Sequence, residues 1–155
     1  MNPLRVAQWL GYAGLIPFVT LALAARLGTP TIELPLLARL FADPQRTLLL
    51  YGAIIASFMA GLHWAYALVA PSLGSNALHG RARLFAASVV TPLLVWAALI
   101  WLDTRTALAL AAAALLLVLA IDRPLSREAW FPADFWLLRQ RLTVVAVASL
   151  LLAAA

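Results

Sequence analysis

The sequence predicts an all-α polytopic membrane protein, a bundle of five transmembrane helices. Hydrophobic residues make up 65% of its 155 residues and charged ones only 11%, where a soluble domain carries about 25% charged residues. A water-soluble fold of this length has no interior large enough to hide so much apolar surface. The apolar residues fall into five long runs, and the charge collects in the short segments between them. The length suits a single bundle and leaves no room for an added soluble domain of ordinary size.

The first span is expected at 7–26, ending at Arg26, with Gly11, Gly14 and Pro17 inside it. It is too long for the apolar part of a cleaved signal, about 7–15 residues, and only Arg5 precedes it, so it reads as a retained helix. The second, 47–70, stops before Pro71, and the third, 84–102, is long enough to cross about 30 Å of hydrocarbon almost unaided. The fourth, 106–121, is short and needs its interfacial ends or local thinning. The last apolar run, 142–155, is shorter still, so its helix is expected to start upstream near Pro132 and to span 135–155. Pro132 suits a first helical position and Asp134 the first turn. Arg139 and Arg141 would then snorkel where the helix meets the headgroups. Trp130, Phe131, Phe135 and Trp136 would form an aromatic belt there.

Two connectors carry further expectations. Leu34, Leu37, Leu40 and Phe41 recur at helical spacing, which fits a short interfacial helix at 33–42 or an ordinary connector. Asp103-Thr104-Arg105 reads as a tight turn, making the third and fourth spans antiparallel neighbours. With five spans, Arg5, Arg81, Arg83, Arg123, Arg127, Arg139 and Arg141 share one side, against Arg26, Arg39, Arg46 and Arg105 on the other. That bias favours a cytoplasmic N-terminus and a periplasmic C-terminus in a bacterial inner membrane.

The same arginines give the chain its formal charge of +5. They are scattered through loops, without the aromatic-interleaved stripe of a nucleic-acid surface, so no nucleic-acid partner is expected. The chain has no cysteine, which excludes disulfides, Cys-ligated zinc, iron–sulfur clusters and thiol catalysis. No Gly-x-Ser-x-Gly, His-Glu-x-x-His or phosphate-binding Gly loop occurs. The acidic residues all read as lying in or beside loops.

The second span is the most unusual. On a wheel of about 100° per residue, Gly52, Ala56, Ala60, His63 and Ala67 fall in one narrow sector. Small residues let helices approach closely in lipid, so His63 should face a neighbouring helix. Ser57 and Gly61 lie on another side and suggest a second close-packing face. A histidine inside a span is costly and tends to be paired or functional. Three readings of His63 stand: a packing hydrogen bond across helices, a polar pocket or proton path, and a metal or haem ligand. The last needs His79, the one other histidine, to fold back from its loop. Asp122 and Arg123, followed by Arg127, Glu128, Asp134, Arg139 and Arg141, read either as an ion-pair lattice or as a site for a headgroup or other anion.

Leu10-Gly-Tyr-Ala-Gly-Leu-Ile-Pro-Phe18 and Tyr51-Gly-Ala-Ile-Ile-Ala-Ser-Phe-Met-Ala-Gly-Leu-His-Trp64 resemble the DUF3429 family, as do Asp122, Trp130-Phe131 and Leu138-Arg-Gln-Arg-Leu-Thr143. The resemblance runs through nearly the whole chain, departing at Ala60, where the family tends to have Gly, and at Phe131, where it tends to have Tyr. It implies a small multi-span protein of bacterial inner membranes or mitochondria and carries no catalytic assignment.

The expected function is therefore non-enzymatic: a structural, assembly or lipid-interacting factor, with no cofactor and no metal. Its expected partner is membrane lipid, with other membrane proteins or self-association left open. One alternative is a small transporter or channel component, proton-linked through His63. Another is a quinone- or haem-associated subunit with a lipid-open cavity lined by His63, Trp64 or Tyr66. The residues carrying these readings are His63, Gly52, Ala56, Ala60, Trp64, Tyr66, Asp122, Arg139 and Arg141.

Overall fold

The computed structural model describes residues 3–28, 34–69, 77–127 and 133–155. Among these described residues six helices follow in order: α1 (Pro3–Leu27), α2 (Pro35–Phe41), α3 (Pro44–Val69), α4 (Ala77–Trp101), α5 (Thr104–Arg127) and α6 (Ala133–Ala154). All but α2 are long and apolar enough to cross a membrane. Their outer faces carry large apolar side chains such as Trp9, Ile54, Leu94, Leu117 and Val144, as lipid-facing helices should.

Local sequence sets the helix ends. Gly28 closes α1 at φ 96° and donates its N–H to the Ala24 carbonyl, a left-handed cap that favours glycine. Asp43 caps α3 by accepting from the Arg46 N–H at 3.0 Å, with Pro44 as the first helical residue. Asp103 caps α5, accepting from the Thr106 hydroxyl at 2.7 Å and the Thr106 N–H at 3.1 Å. These bonds to Thr106 hold the Asp103 carboxyl below its ordinary range.

The helices alternate in direction. Gln45, at the start of α3, donates to the Ala153 carbonyl at the end of α6 (2.7 Å). The Tyr51 hydroxyl donates to the Gly14 carbonyl of α1 at 2.9 Å, and its ring meets Phe18 edge-on. One end of the bundle thus gathers the starts of α1, α4 and α6 with the finishes of α3 and α5. Seven of the arginines belong to that end, which we call the arginine-rich end. The main apolar core, built around Phe18, Leu48, Leu108, Ala111 and Leu150, fills the opposite half.

Helix α3 is central and packs on every other helix. A Cβ on Gly52 would sit 3.0 Å from Leu150 of α6, and one on Gly11 of α1 would sit 2.7 Å from Leu142. Both glycines therefore let α6 come close. The second small face of α3 is not packed: Gly61 is exposed, and nothing among the described residues comes within 4 Å of a Cβ built on it.

Several expectations need correction. Helix α5 does not stop at 121 but runs through Pro124 to Arg127. Proline removes the hydrogen bond to the carbonyl four residues back and crowds that carbonyl, a disturbance that α5 carries within its last turn. Asp122 is therefore a helix residue, not a loop residue. His79 lies within α4; its side chain lies outside the described residues, as do Glu128, Trp130, Phe131 and Pro132.

Candidate functional site

Polar chemistry converges where α3, α5 and α6 meet near the arginine-rich end. His63 of α3 follows the face of Gly52, Ala56 and Ala60, and all four are buried, as is Ala67. Asp122 of α5 continues the buried stripe of Leu108, Ala111, Leu115 and Val118 at helical spacing. Arg139 of α6 sits on the face that continues as Ala146, Leu150 and Ala153. Three apolar stripes thus each place one ionisable residue at the same level, about 8–9 Å in from the ends of their helices at about 1.5 Å per residue.

The three side chains form one buried cluster. His63 Nε2 lies 2.9 Å from Asp122 Oδ1, and Arg139 donates through Nη2 to Asp122 Oδ2. His63 and Asp122 have no exposure and Arg139 has 4%. An Asp held by a guanidinium is a carboxylate, which only accepts hydrogen bonds, so His63 Nε2 carries the hydrogen in this contact. The imidazole's other nitrogen, Nδ1, and the Arg139 Nε have no hydrogen-bond partner among the described residues. The remaining Arg139 arm reaches the Met59 sulfur at 3.9 Å.

Burying an unpaired ion in a low-dielectric interior costs several kcal/mol. Here the carboxylate and guanidinium neutralise one another, and both carboxylate oxygens are used. Each helix supplies one member, so the cluster fixes α3, α5 and α6 in mutual register. Arg139 does not snorkel: its guanidinium turns to Asp122 rather than to the headgroups. Arg141, two residues on, is exposed.

Other candidate residues sit around this cluster. The Tyr66 ring lies 6.5 Å from that of His63, and Tyr66 is half-buried. Trp64 is exposed and meets Phe85 of α4 edge-on at 5.0 Å. Ser57 bonds back to the Ala53 carbonyl within its own helix and makes no approach to His63. Among the described residues, no three of His, Asp and Glu gather as metal ligands would.

Beside the cluster lies a feature that the residue pattern did not announce. A cavity of about 320 Å³ opens between α1, α3 and α6, with Leu115 of α5 at its back. Its lining is apolar except for Arg139 and Thr143. Leu10 and Phe58 border it and are themselves largely exposed, so it faces the lipid side of the bundle.

The family described as a protein of unknown function (DUF3429) matches residues 3–155, and the chain belongs to that family. Transmembrane protein 69 of Xenopus tropicalis is 34% identical over 150 residues, covering 94% of this chain and 52% of that protein. The chain thus spans about half the length of the relative it matches. No solved structure matches it.

Proposed function

We propose that this member of the DUF3429 family is a non-enzymatic, lipid-interacting protein of a bacterial inner membrane. In this reading the arginine-rich end lies on the cytoplasmic side, which places the N-terminus inside and the C-terminus outside. The observation that carries it is the closure of the His63–Asp122–Arg139 cluster. Both Asp122 oxygens are engaged by neighbours from two other helices, and all three side chains are buried. A catalytic acid, or the proton-binding group of a transporter, has to exchange protons with water or substrate; this carboxylate is instead used to join helices. Among the described residues, the bundle offers outward lipid-facing surface and an apolar recess.

A second reading has one observation in its favour. The Nδ1 of His63, unpartnered among the described residues, leaves a ring nitrogen free in a buried site, as a proton-linked channel or transporter would need. Proteoliposomes with a pH-sensitive dye inside separate the two. The proposed function expects wild type and His63→Leu to leak protons no faster than empty vesicles, with the variant melting at lower temperature in detergent. A proton flux that His63→Leu abolishes without changing the melting temperature would overturn it.

A further inference from the structure

We propose that the recess between α1, α3 and α6 is a binding site for one membrane-soluble molecule with a carbonyl oxygen at the head of a long apolar tail. The carbonyl accepts a hydrogen bond from Arg139. This deepens the lipid-interacting reading and rests on it.

Three observations converge. The recess is elongated along α6, lined from Phe135 to Ala146, which is about 17 Å at about 1.5 Å per residue. It runs from near the arginine-rich end to the middle of the bundle, where Phe18, Leu115 and Ala146 of the apolar core close it. Its walls are apolar, and Leu10 and Phe58 border it on the lipid side. An occupant therefore comes from the bilayer with a tail lying beside Gly11, Gly14 and Leu142. The volume, about 320 Å³, falls at the lower end of small-molecule sites, roughly 300–1,000 Å³.

The head is set by Arg139, the one charged residue of the lining among the described residues. A guanidinium has five N–H donors and no acceptor. Asp122 takes one arm and the Met59 sulfur, a weak acceptor, faces the other. Nη1 thus has only that weak acceptor, while Nε, without a partner among the described residues, is closed even to water. Buried donors are normally satisfied, and the Asp122 carboxylate already balances the arginine's charge. The group that completes Arg139 is thus a neutral acceptor. A carbonyl meets that need, and a second carboxylate would leave the site with excess negative charge. Two membrane constituents carry this chemistry, the acyl ester of a glycerolipid and the ring carbonyl of an isoprenoid quinone.

The test is native mass spectrometry of the full chain released from nanodiscs of phosphatidylethanolamine and phosphatidylglycerol doped with ubiquinone. Thr143→Phe fills the recess from α6 and Ala7→Phe fills it from α1; neither residue belongs to the buried cluster. Leu152→Phe, on an exposed face of the other half, is the control. Wild type and Leu152→Phe are expected to retain one bound molecule per chain, its mass telling phospholipid from quinone. Whichever filled variant melts like wild type should lose at least tenfold in occupancy. Undiminished occupancy in such a variant removes this site but leaves the lipid-interacting reading standing. A wild-type chain that retains no molecule removes both.

Discussion

The two halves of this bundle solve the same packing problem by different chemistry. In the half away from the arginine-rich end, Phe18, Leu48, Leu108, Ala111 and Leu150 interdigitate with almost no polar side chain between them. Near the arginine-rich end the helices meet through His63, Asp122 and Arg139, and part of the interior is an apolar recess. In lipid, an apolar side chain gains little by leaving the tails for the protein interior. The first half therefore relies on close fit, the second on a neutralised charge pair that has no comparable partner in the bilayer. Close fit tolerates small errors in proportion to their size. A buried ion pair fails abruptly when one member is removed.

That contrast ranks the expected effects. Asp122→Ala should be the most damaging, because it leaves the Arg139 guanidinium buried without a counter-charge and His63 without its acceptor. A loss of about 3–5 kcal/mol is expected, read as unfolding by steric trapping or by a denaturing detergent titration. Removing both charges, as in Asp122→Leu with Arg139→Met, should recover part of that loss; a double variant weaker than Asp122→Ala would break the contrast. His63→Leu keeps the Asp122–Arg139 pair and should cost about 1–3 kcal/mol. On the close-fit side, Gly52→Val forces α3 and Leu150 of α6 apart and should cost about 1–3 kcal/mol in the same assay. If it unfolds the bundle as thoroughly as Asp122→Ala, the two halves do not differ as described.

The smallest expected effect lies at the α4–α5 turn. Bonds from Thr106 hold the Asp103 carboxyl below its ordinary value of 3.8. Since the folded value is the lower one, this cap contributes fully above that ordinary value and fades as pH falls through the folded one. Asp103→Asn should reduce the acid sensitivity of melting below about pH 4 and leave the pH 7 melting temperature nearly unchanged. A large shift at pH 7 would place more weight on this turn than an exposed cap can bear.

The five apolar helices are legible in the sequence because length and hydropathy alone decide whether a segment can cross a bilayer. The facing of His63 is legible for a similar reason, since Gly52, Ala56 and Ala60 mark the side on which a neighbour can come close. The partnership of Asp122 with Arg139 is not legible from spans alone. The apolar run ends at 121, which puts Asp122 beside a loop and leaves Arg139 free to snorkel. Once α5 is followed to Arg127, Asp122 lands on the stripe of Leu115 and Val118, where a solvated carboxylate has no place. An acidic residue continuing one buried stripe and a basic residue continuing another was the available signal. The recess depends on how three helices splay, a property of their joint packing that no single helix encodes.

A double-mutant cycle between Asp122 and Arg139, measured by equilibrium unfolding in one detergent, tests most directly whether the buried cluster holds the helices together. Asp122→Leu, Arg139→Met and the double variant complete it against wild type. A coupling energy of about 2–3 kcal/mol is expected, the upper part of the range for contacting residues. Losses that simply add, to within about 0.5 kcal/mol, would mean that the two side chains stabilise the fold independently and that the cluster does not join α5 to α6.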